Sequence, residues 1–220
     1  MSIVLPKYPT APDIEEIIKN DPLGEFFVWW KDLPLRYEND FEKCLSSAKS
    51  ENELQKYLSS NPYVLAVQLG GGHGRWVIPK KRLGAEHVPD FMVAEKSSVG
   101  FEWYAVELES PHVKMFTKSG NPTHQLTHAI RQIQDWRVWL EHNRNYASRP
   151  RKESGLGLTD ITANVDALIL IGRQADINDS SNNLRRRMIK ETRIKIHSYD
   201  WLLGAGGLTN LPKRTYGEEQ

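Results

Sequence analysis

The sequence has one cysteine, Cys44, and no apolar run near the roughly 18 residues that a membrane-spanning helix needs. A single cysteine excludes a disulfide framework within the chain and is typical of a reducing compartment. The first residues also lack the basic region and apolar core of a signal peptide. From these absences we expect a cytoplasmic protein that makes no membrane contact.

The chain also lacks a strong net charge, because 29 Lys and Arg residues oppose 28 Asp and Glu residues. The field of the whole molecule therefore does not attract nucleic acid, and any DNA-binding surface must come from local basic clusters. Such clusters occur at residues 80–82, 144–152 and 185–187. Each of them, taken alone, is more simply a solvated face.

Internal repeats and low-complexity tracts are absent as well. The composition, 39% hydrophobic and 26% charged over 220 residues, is that of an ordinary folded domain. Hydrophobic spacing predicts helices over residues 11–30, 39–47, 50–60, 123–142 and 183–191. Apolar runs between turn signals predict strands over residues 63–69, 76–78, 90–94, 101–109, 165–171 and 193–197. Residues 144–160 are polar and rich in turn formers, which predicts a mobile loop.

This order of elements predicts an α/β domain in which helices flank a mixed β-sheet. We expect a helical N-terminal extension over residues 1–48, one domain over residues 49–203, and a loosely ordered tail over residues 204–220. Within the domain, Ser50 has Glu53 at the spacing of a capping box, which predicts the start of a helix.

The strand predicted at residues 101–109 carries two acidic side chains near its end. Alternate strand residues share a face, so Glu107 and Glu109 lie together beside Ala105. Two carboxylates on one face of an apolar strand repel each other and are costly to bury, and a bound cation removes both penalties. If the strand that begins near Asp90 pairs with this one, Asp90 completes an oxygen site suited to Mg²⁺. The alternative is a solvent-facing edge strand, with Asp90 acting only as a turn former.

The motif Pro89-Asp90 followed by Glu107-x-Glu109 resembles the signature of the PD-(D/E)XK nuclease superfamily. More specifically, the chain resembles the Shedu family of bacterial anti-phage defence nucleases. The resemblance covers about residues 50–203 and is most specific from Val106 to Trp139. It is carried by the segments at residues 51–62 (ENELQKYLSSNP), 88–91 (VPDF), 106–111 (VELESP), 116–120 (FTKSG), 129–136 (AIRQIQDW), 168–173 (LILIGR) and 198–202 (SYDWL).

The resemblance implies a restriction-endonuclease-like core, cleavage or nicking of DNA, a homo-oligomer and a role in defence against phage. It implies that Asp90, Glu107 and Glu109 hold Mg²⁺ or Mn²⁺ and that Glu51 extends the metal site. Gln132, on the polar side of the long helix, would position DNA or water. A divalent cation in such a site activates water and stabilises the charge that develops on a phosphodiester.

One position departs from the superfamily motif, because Glu109 stands where a lysine is usual. An ionised glutamate cannot donate a hydrogen bond, although it can bind a metal or accept a proton. Lys114 and Lys118 are candidates to supply the missing cation. The alternative reading is a catalytically inactive nuclease-fold module that binds DNA ends or a protein partner.

The remaining candidates concern DNA binding. We expect the basic clusters near Lys80, Arg151 and Arg185 to follow phosphates, giving binding that weakens steeply with salt. Among the tryptophans, Trp76 is the one we expect to contact nucleic acid, because it precedes the basic residues 80–82.

Overall fold

The computed structural model describes residues 23–28, 37–69 and 75–204. In these ranges the helices are α1 Glu38–Ser47, α2 Glu51–Ser60, α3 Tyr63–Leu69, α4 His124–Ser148 and α5 Asp179–Thr192. The strands are β1 Arg75–Pro79, β2 Phe91–Ser97, β3 Gly100–Leu108, β4 Asp166–Leu170 and β5 Ile194–His197. Short 3-10 turns occur at Gly24–Phe26, Arg151–Glu153, Gln174–Asp176 and Tyr199–Leu203.

The strands form one mixed sheet in the order β1-β2-β3-β4-β5. Strands β1, β2 and β3 are antiparallel neighbours joined by short connections, whereas β3, β4 and β5 run parallel. Parallel neighbours need crossover connections, which α4 and α5 supply in turn. The predicted α/β class with a mixed sheet and flanking helices is confirmed. Among the described helices, none is both long and apolar enough to cross a bilayer.

Helices cover both faces of the sheet. One buried cluster joins α4 to one set of alternating strand side chains, including Met92, Ala105, Ile169, Ile133 and Trp136. A second cluster joins α1, α2 and α3 to the other set, including Phe41, Leu54, Leu65, Phe91 and Val106. Because β3 and β4 are buried on both faces, their sequences are nearly continuous apolar runs. An acidic side chain at the end of β3 therefore enters apolar surroundings.

Two predicted elements are wrong in type or length. Residues 63–69 form helix α3, with four of its apolar side chains buried, instead of a strand. An apolar run of seven residues fits a buried helix as well as a buried strand, so its sequence pattern does not decide between them. The predicted loop at residues 144–160 is helical as far as Ser148, because α4 continues until Ala147 is fully buried.

The predicted capping box is also wrong in detail. Ser50 is the N-cap of α2, but its side chain makes no capping hydrogen bond. The Glu53 carboxylate accepts the N–H of Lys49 instead of that of Ser50. A reciprocal capping box occurs at the start of α5, where Asn178 and Ser181 exchange hydrogen bonds of 2.9 Å.

Several predictions fall on parts of the chain outside the described ranges. They are the helix over most of residues 11–30 and the tail over residues 205–220. Within residues 23–28, the chain makes a 3-10 turn and then a bridge between Phe27 and Trp76.

Candidate active site

Asp90 lies where β2 and β3 separate. Phe91 pairs with Val106, so Asp90 is one residue beyond that pair. The N–H of Leu108 points towards β2 and finds no backbone carbonyl there; Asp90 Oδ2 accepts it at 2.8 Å. The next N–H, that of Glu109, bonds in the opposite direction to Leu170 O of β4 at 2.8 Å. The Asp90 carboxylate thus takes the place of a ladder carbonyl and is held at the end of β3.

Glu107 and Glu109 flank this hydrogen bond, and both side chains face α4. The Gln132 amide hydrogen-bonds to Glu107, while Glu109 Oε1 lies 3.8 Å from Nδ1 of His128. His128 and Gln132 are one helical turn apart, so α4 offers the two acids adjacent polar partners. Only 7% of Glu107 and 8% of Glu109 is exposed. Both carboxylates are therefore largely removed from water.

Burial and mutual repulsion change the acidity of this group. Burial, then the charges of Asp90 and Glu109, raises the pKa of Glu107 to about 9. Burial, then the charges of Glu51 and Asp90, raises the pKa of Glu109 to about 7. Without a cation, Glu107 is therefore protonated near neutral pH.

Glu51 reaches the same group from the opposite layer. It is the first residue of α2, and it is half-buried. Burial, then the charge of Asp90, raises the pKa of Glu51. Since Glu51 in turn raises the pKa of Glu109, the four predicted acids form one electrostatic group.

Tyr199 holds this group in place, and sequence reasoning missed it. Its hydroxyl donates to the backbone oxygen of Glu109 at 2.8 Å, and its ring is fully buried. Burial, followed by the charges of all four acids, raises the pKa of Tyr199 well above its ordinary value. The signal in the sequence is weak, since Tyr199 is 90 residues away from its partner.

Lys80 also belongs to the site, although the sequence analysis assigned it to a basic cluster that follows phosphates. Its Nζ pairs with Asp90 Oδ1, and its backbone N–H donates to Asp90 O at 2.9 Å. The register of the β1–β2 hairpin, in which Pro79 faces Phe91, brings residues 80 and 90 together. The sequence analysis proposed Lys114 and Lys118 as the source of the missing cation. In the structure, Lys114 pairs with Asp176 at 3.0 Å, and Lys118 is exposed.

The donor set fits a hard divalent cation. Carboxylate and amide oxygens are the ligands that Mg²⁺ and Mn²⁺ prefer. In the described part of the chain, Oε1 of Gln132 is buried without a hydrogen-bond donor. However, no three acidic, histidine or cysteine side chains within residues 23–28, 37–69 and 75–204 already converge as a metal-binding group. At Asp90 the Lys80 ammonium is the counter-cation.

The predicted nucleic-acid contact of Trp76 is wrong. Trp76 is 1% exposed, and its ring packs against Phe27 and Phe101 with centroid distances of 5.0 and 4.9 Å. Because β1 lies beneath the 3-10 turn at Gly24–Phe26, this side chain belongs to the core.

The other basic clusters are partly engaged within the protein. Arg151 pairs with Glu25, and Lys81 donates to Leu156 O at 2.8 Å. Arg185 is half-buried and donates to Asn182 Oδ1 at 2.7 Å. Charges already paired in this way are less available to phosphates than the sequence suggests.

The sequence was compared with known proteins and protein families. Residues 48–203, more than half of the chain, match the family model described as "Shedu protein SduA, C-terminal". No curated protein matches the chain.

Proposed function

The chain belongs to the Shedu family, and we propose that it is a metal-dependent deoxyribonuclease that nicks or cleaves DNA in anti-phage defence. Family membership supports the defence role. The single observation that best supports the nuclease proposal is the hydrogen bond from Leu108 N to Asp90. Leu108 separates Glu107 from Glu109, so this bond fixes Asp90 next to both acids at the end of a buried strand.

The proposed core is restriction-endonuclease-like. In support, the acids lie at the start of β2 and the end of β3, in a meander that continues into the parallel strand β4. This arrangement brings together Pro89-Asp90 and Glu107-x-Glu109, the two halves of the motif that the sequence resembles.

Asp90, Glu107, Glu109 and Glu51 are the residues that would hold Mg²⁺ or Mn²⁺. Such a cation, when bound, supplies water activation and stabilises charge on the phosphodiester. The chain's own residues have separate tasks. Gln132 orients Glu107 by its amide, and it offers its free Oε1 to a ligand. Glu109 accepts the proton of the attacking water, since an ionised carboxylate is an acceptor.

DNA is the proposed substrate, and a cytoplasmic homo-oligomer is the proposed form of the protein. Arg186 and Arg187 of α5 are both exposed and remain candidates for phosphate contacts. Contacts of this kind would make DNA binding fall with salt concentration.

A second candidate is a catalytically inactive module that binds DNA ends or a protein partner. The observation that favours it is Glu109 in place of the usual lysine, combined with an Asp90 carboxylate already paired with Lys80. The Lys80 ammonium gives Asp90 a counter-charge without a bound metal.

The test is cleavage of supercoiled plasmid and of linear single- and double-stranded DNA by the full chain, with Mg²⁺, Mn²⁺ or EDTA. Glu107→Ala is the test variant, and Glu102→Gln is the control, because Glu102 is exposed on the same strand. Metal-dependent cleavage that Glu107→Ala abolishes and Glu102→Gln retains supports the nuclease. DNA binding without cleavage in any metal would support the inactive module.

A further inference from the structure

Lys80 is in an unusual backbone position immediately after β1. Its φ of +47° lies in the left-handed region, which residues other than glycine adopt at a cost in free energy. The hydrogen bond from its N–H to Asp90 O, 2.9 Å long, holds this conformation. Both the backbone and the side chain of Lys80 are thus directed at the same aspartate.

An ordinary surface ion pair does not account for this placement. Exposed ion pairs contribute little to folding stability, too little to offset the cost of a strained backbone conformation. Here one partner is an aspartate whose side chain is 11% exposed, while the Lys80 side chain is 50% exposed. Asp90 already has Leu108 N as a donor on its other oxygen. The ammonium therefore lies between the buried acids and the solvent from which a substrate arrives.

The charge of Lys80 acts on more than Asp90. Burial, followed by the charge of Asp90, raises the pKa of both Glu107 and Glu51, and the charge of Lys80 partly offsets each increase. The alternative lysine, Lys114, is engaged with Asp176 beyond the end of β3. Within residues 23–28, 37–69 and 75–204, Lys80 is thus the lysine whose ammonium contacts an acid of the site.

We propose that Lys80 is a catalytic residue that supplies, from the end of β1, the cationic donor that the motif lacks at Glu109. This inference rests on the proposed nuclease function. The lysine that supplies this ammonium does not have to lie on β3. Its side chain is long enough to place the ammonium at the same point from the end of a neighbouring strand. The β1–β2 hairpin register makes residue 80 such a neighbour.

The step that Lys80 assists is hydrolysis of one phosphodiester bond. The water oxygen forms a bond to phosphorus, and the bond between phosphorus and the leaving sugar oxygen breaks. The water proton passes to Glu109, and the leaving oxygen takes a proton from solvent. The Lys80 ammonium has three N–H donors, of which one pairs with Asp90. The other two donate hydrogen bonds to a non-bridging oxygen, where negative charge accumulates.

The test compares Lys80→Met and Lys80→Arg with Lys114→Met, a control that removes another lysine paired with an aspartate. Nicking of supercoiled plasmid in Mn²⁺ gives kcat and KM, calorimetry gives Mn²⁺ affinity, and thermal melting gives Tm. We expect Lys80→Met to lower kcat about 100-fold, the usual effect of removing one donor to a developing charge. KM and Tm should stay close to those of the wild type. Mn²⁺ affinity should stay the same or rise, because a positive charge next to the metal ligand Asp90 is removed. Lys80→Arg should recover part of kcat.

Two results would overturn the proposal for Lys80 alone. One is Lys80→Met cleaving within threefold of an active wild type. The other is a loss of kcat matched by a loss of Mn²⁺ affinity or of Tm, which would make Lys80 a structural partner of Asp90. A wild type that cleaves no DNA with Mg²⁺ or Mn²⁺ would instead refute the nuclease, and the role of Lys80 with it.

Discussion

The carboxylate of Asp90 accepts the backbone N–H of Leu108 at 2.8 Å, where a β-sheet would otherwise supply a carbonyl oxygen. The same carboxylate is a proposed metal ligand. Asp90 therefore has both a structural role and a chemical role, and each of its two carboxylate oxygens serves one of them. Oδ2 accepts the hydrogen bond from the sheet, whereas Oδ1 pairs with Lys80.

The two roles of Asp90 can be separated by substitution. Asp90→Asn keeps an acceptor for Leu108 N but loses the negative charge, so we expect cleavage to fall about 100-fold or more with little change in Tm. Asp90→Ala also leaves a buried N–H without a partner, which costs about 1–3 kcal/mol of unfolding free energy. Urea unfolding and plasmid nicking measure the two effects. Equal destabilisation by both substitutions would contradict this division.

The stability of the metal-free protein is expected to fall as pH rises. The pKa of Glu107 is raised to about 9 and that of Glu109 to about 7, from an ordinary value of 4.5. Between pH 4.5 and about 9, the folded state therefore binds more protons at these two glutamates than the unfolded state does. The free energy of unfolding decreases with pH over this range. The favourable contribution is complete below about pH 4.5 and is lost as pH rises through about 7 and then 9.

Thermal melting in EDTA from pH 5 to pH 9 measures this dependence. Glu107→Gln keeps position 107 neutral at every pH and should flatten the curve, while Glu102→Gln, on the exposed part of the same strand, should not. A saturating divalent cation should also flatten it, because binding favours the ionised acids. A Glu107→Gln curve as steep as that of the wild type would count against the burial of this carboxylate.

Tyr199→Phe should loosen the backbone of Glu109. The fully buried hydroxyl donates to Glu109 O at 2.8 Å, and its removal leaves that oxygen without this donor. We expect a loss of about 1–3 kcal/mol in unfolding free energy, and a modest fall in kcat because Glu109 is less well positioned. Urea unfolding and nicking assays measure both. Tyr146→Phe, at an exposed position on α4, is the control; equal effects of the two changes would contradict the prediction.

Arg137 ties the long helix to the parallel strands. Its guanidinium donates to Val165 O at 3.0 and 3.1 Å, to Thr192 O at 2.8 Å and to Arg193 O at 3.2 Å. These carbonyls belong to residues that immediately precede β4 and β5. Arg137→Met should therefore cost about 2–3 kcal/mol of unfolding free energy.

Urea unfolding tests this prediction, with Arg131→Met as the control because Arg131 is exposed on the same helix. Arg137→Lys should recover little of the loss, since an ammonium cannot reach three carbonyls in the geometry of a planar fork. Full stability in Arg137→Met would show that these hydrogen bonds are replaced by water at no cost.

The parts of the fold that could be predicted are those with a long local pattern. Strand β3 is a run of nine mostly apolar residues that includes aromatic and β-branched side chains, and α4 repeats its apolar positions over many turns. The type of each element can therefore be read from its own sequence. Helix α3 has only seven residues and was predicted as a strand. Whether these residues form a helix or a strand depends on the sheet surface that they cover, and that surface is formed by other parts of the chain.

The candidate site divides in the same way. Asp90, Glu107 and Glu109 are recognisable from spacing and from the family motif, because one hairpin brings them together. Lys80 is not recognisable, although it is only ten residues from Asp90, because the exact register of the β1–β2 hairpin decides which basic residue meets that aspartate. Tyr199 is not recognisable because it is 90 residues from Glu109.

The sequence by itself determined the α/β class, the order of most elements and the family, because strand and helix periodicities and short motifs are properties of neighbouring residues. Only the tertiary structure decided which lysine meets Asp90, which helix covers Glu107 and how far the acids are removed from water. Strand register and the packing of helices on a sheet set these relationships. The electrostatic cost of a carboxylate depends on its whole surroundings, so it exists only once those surroundings are assembled.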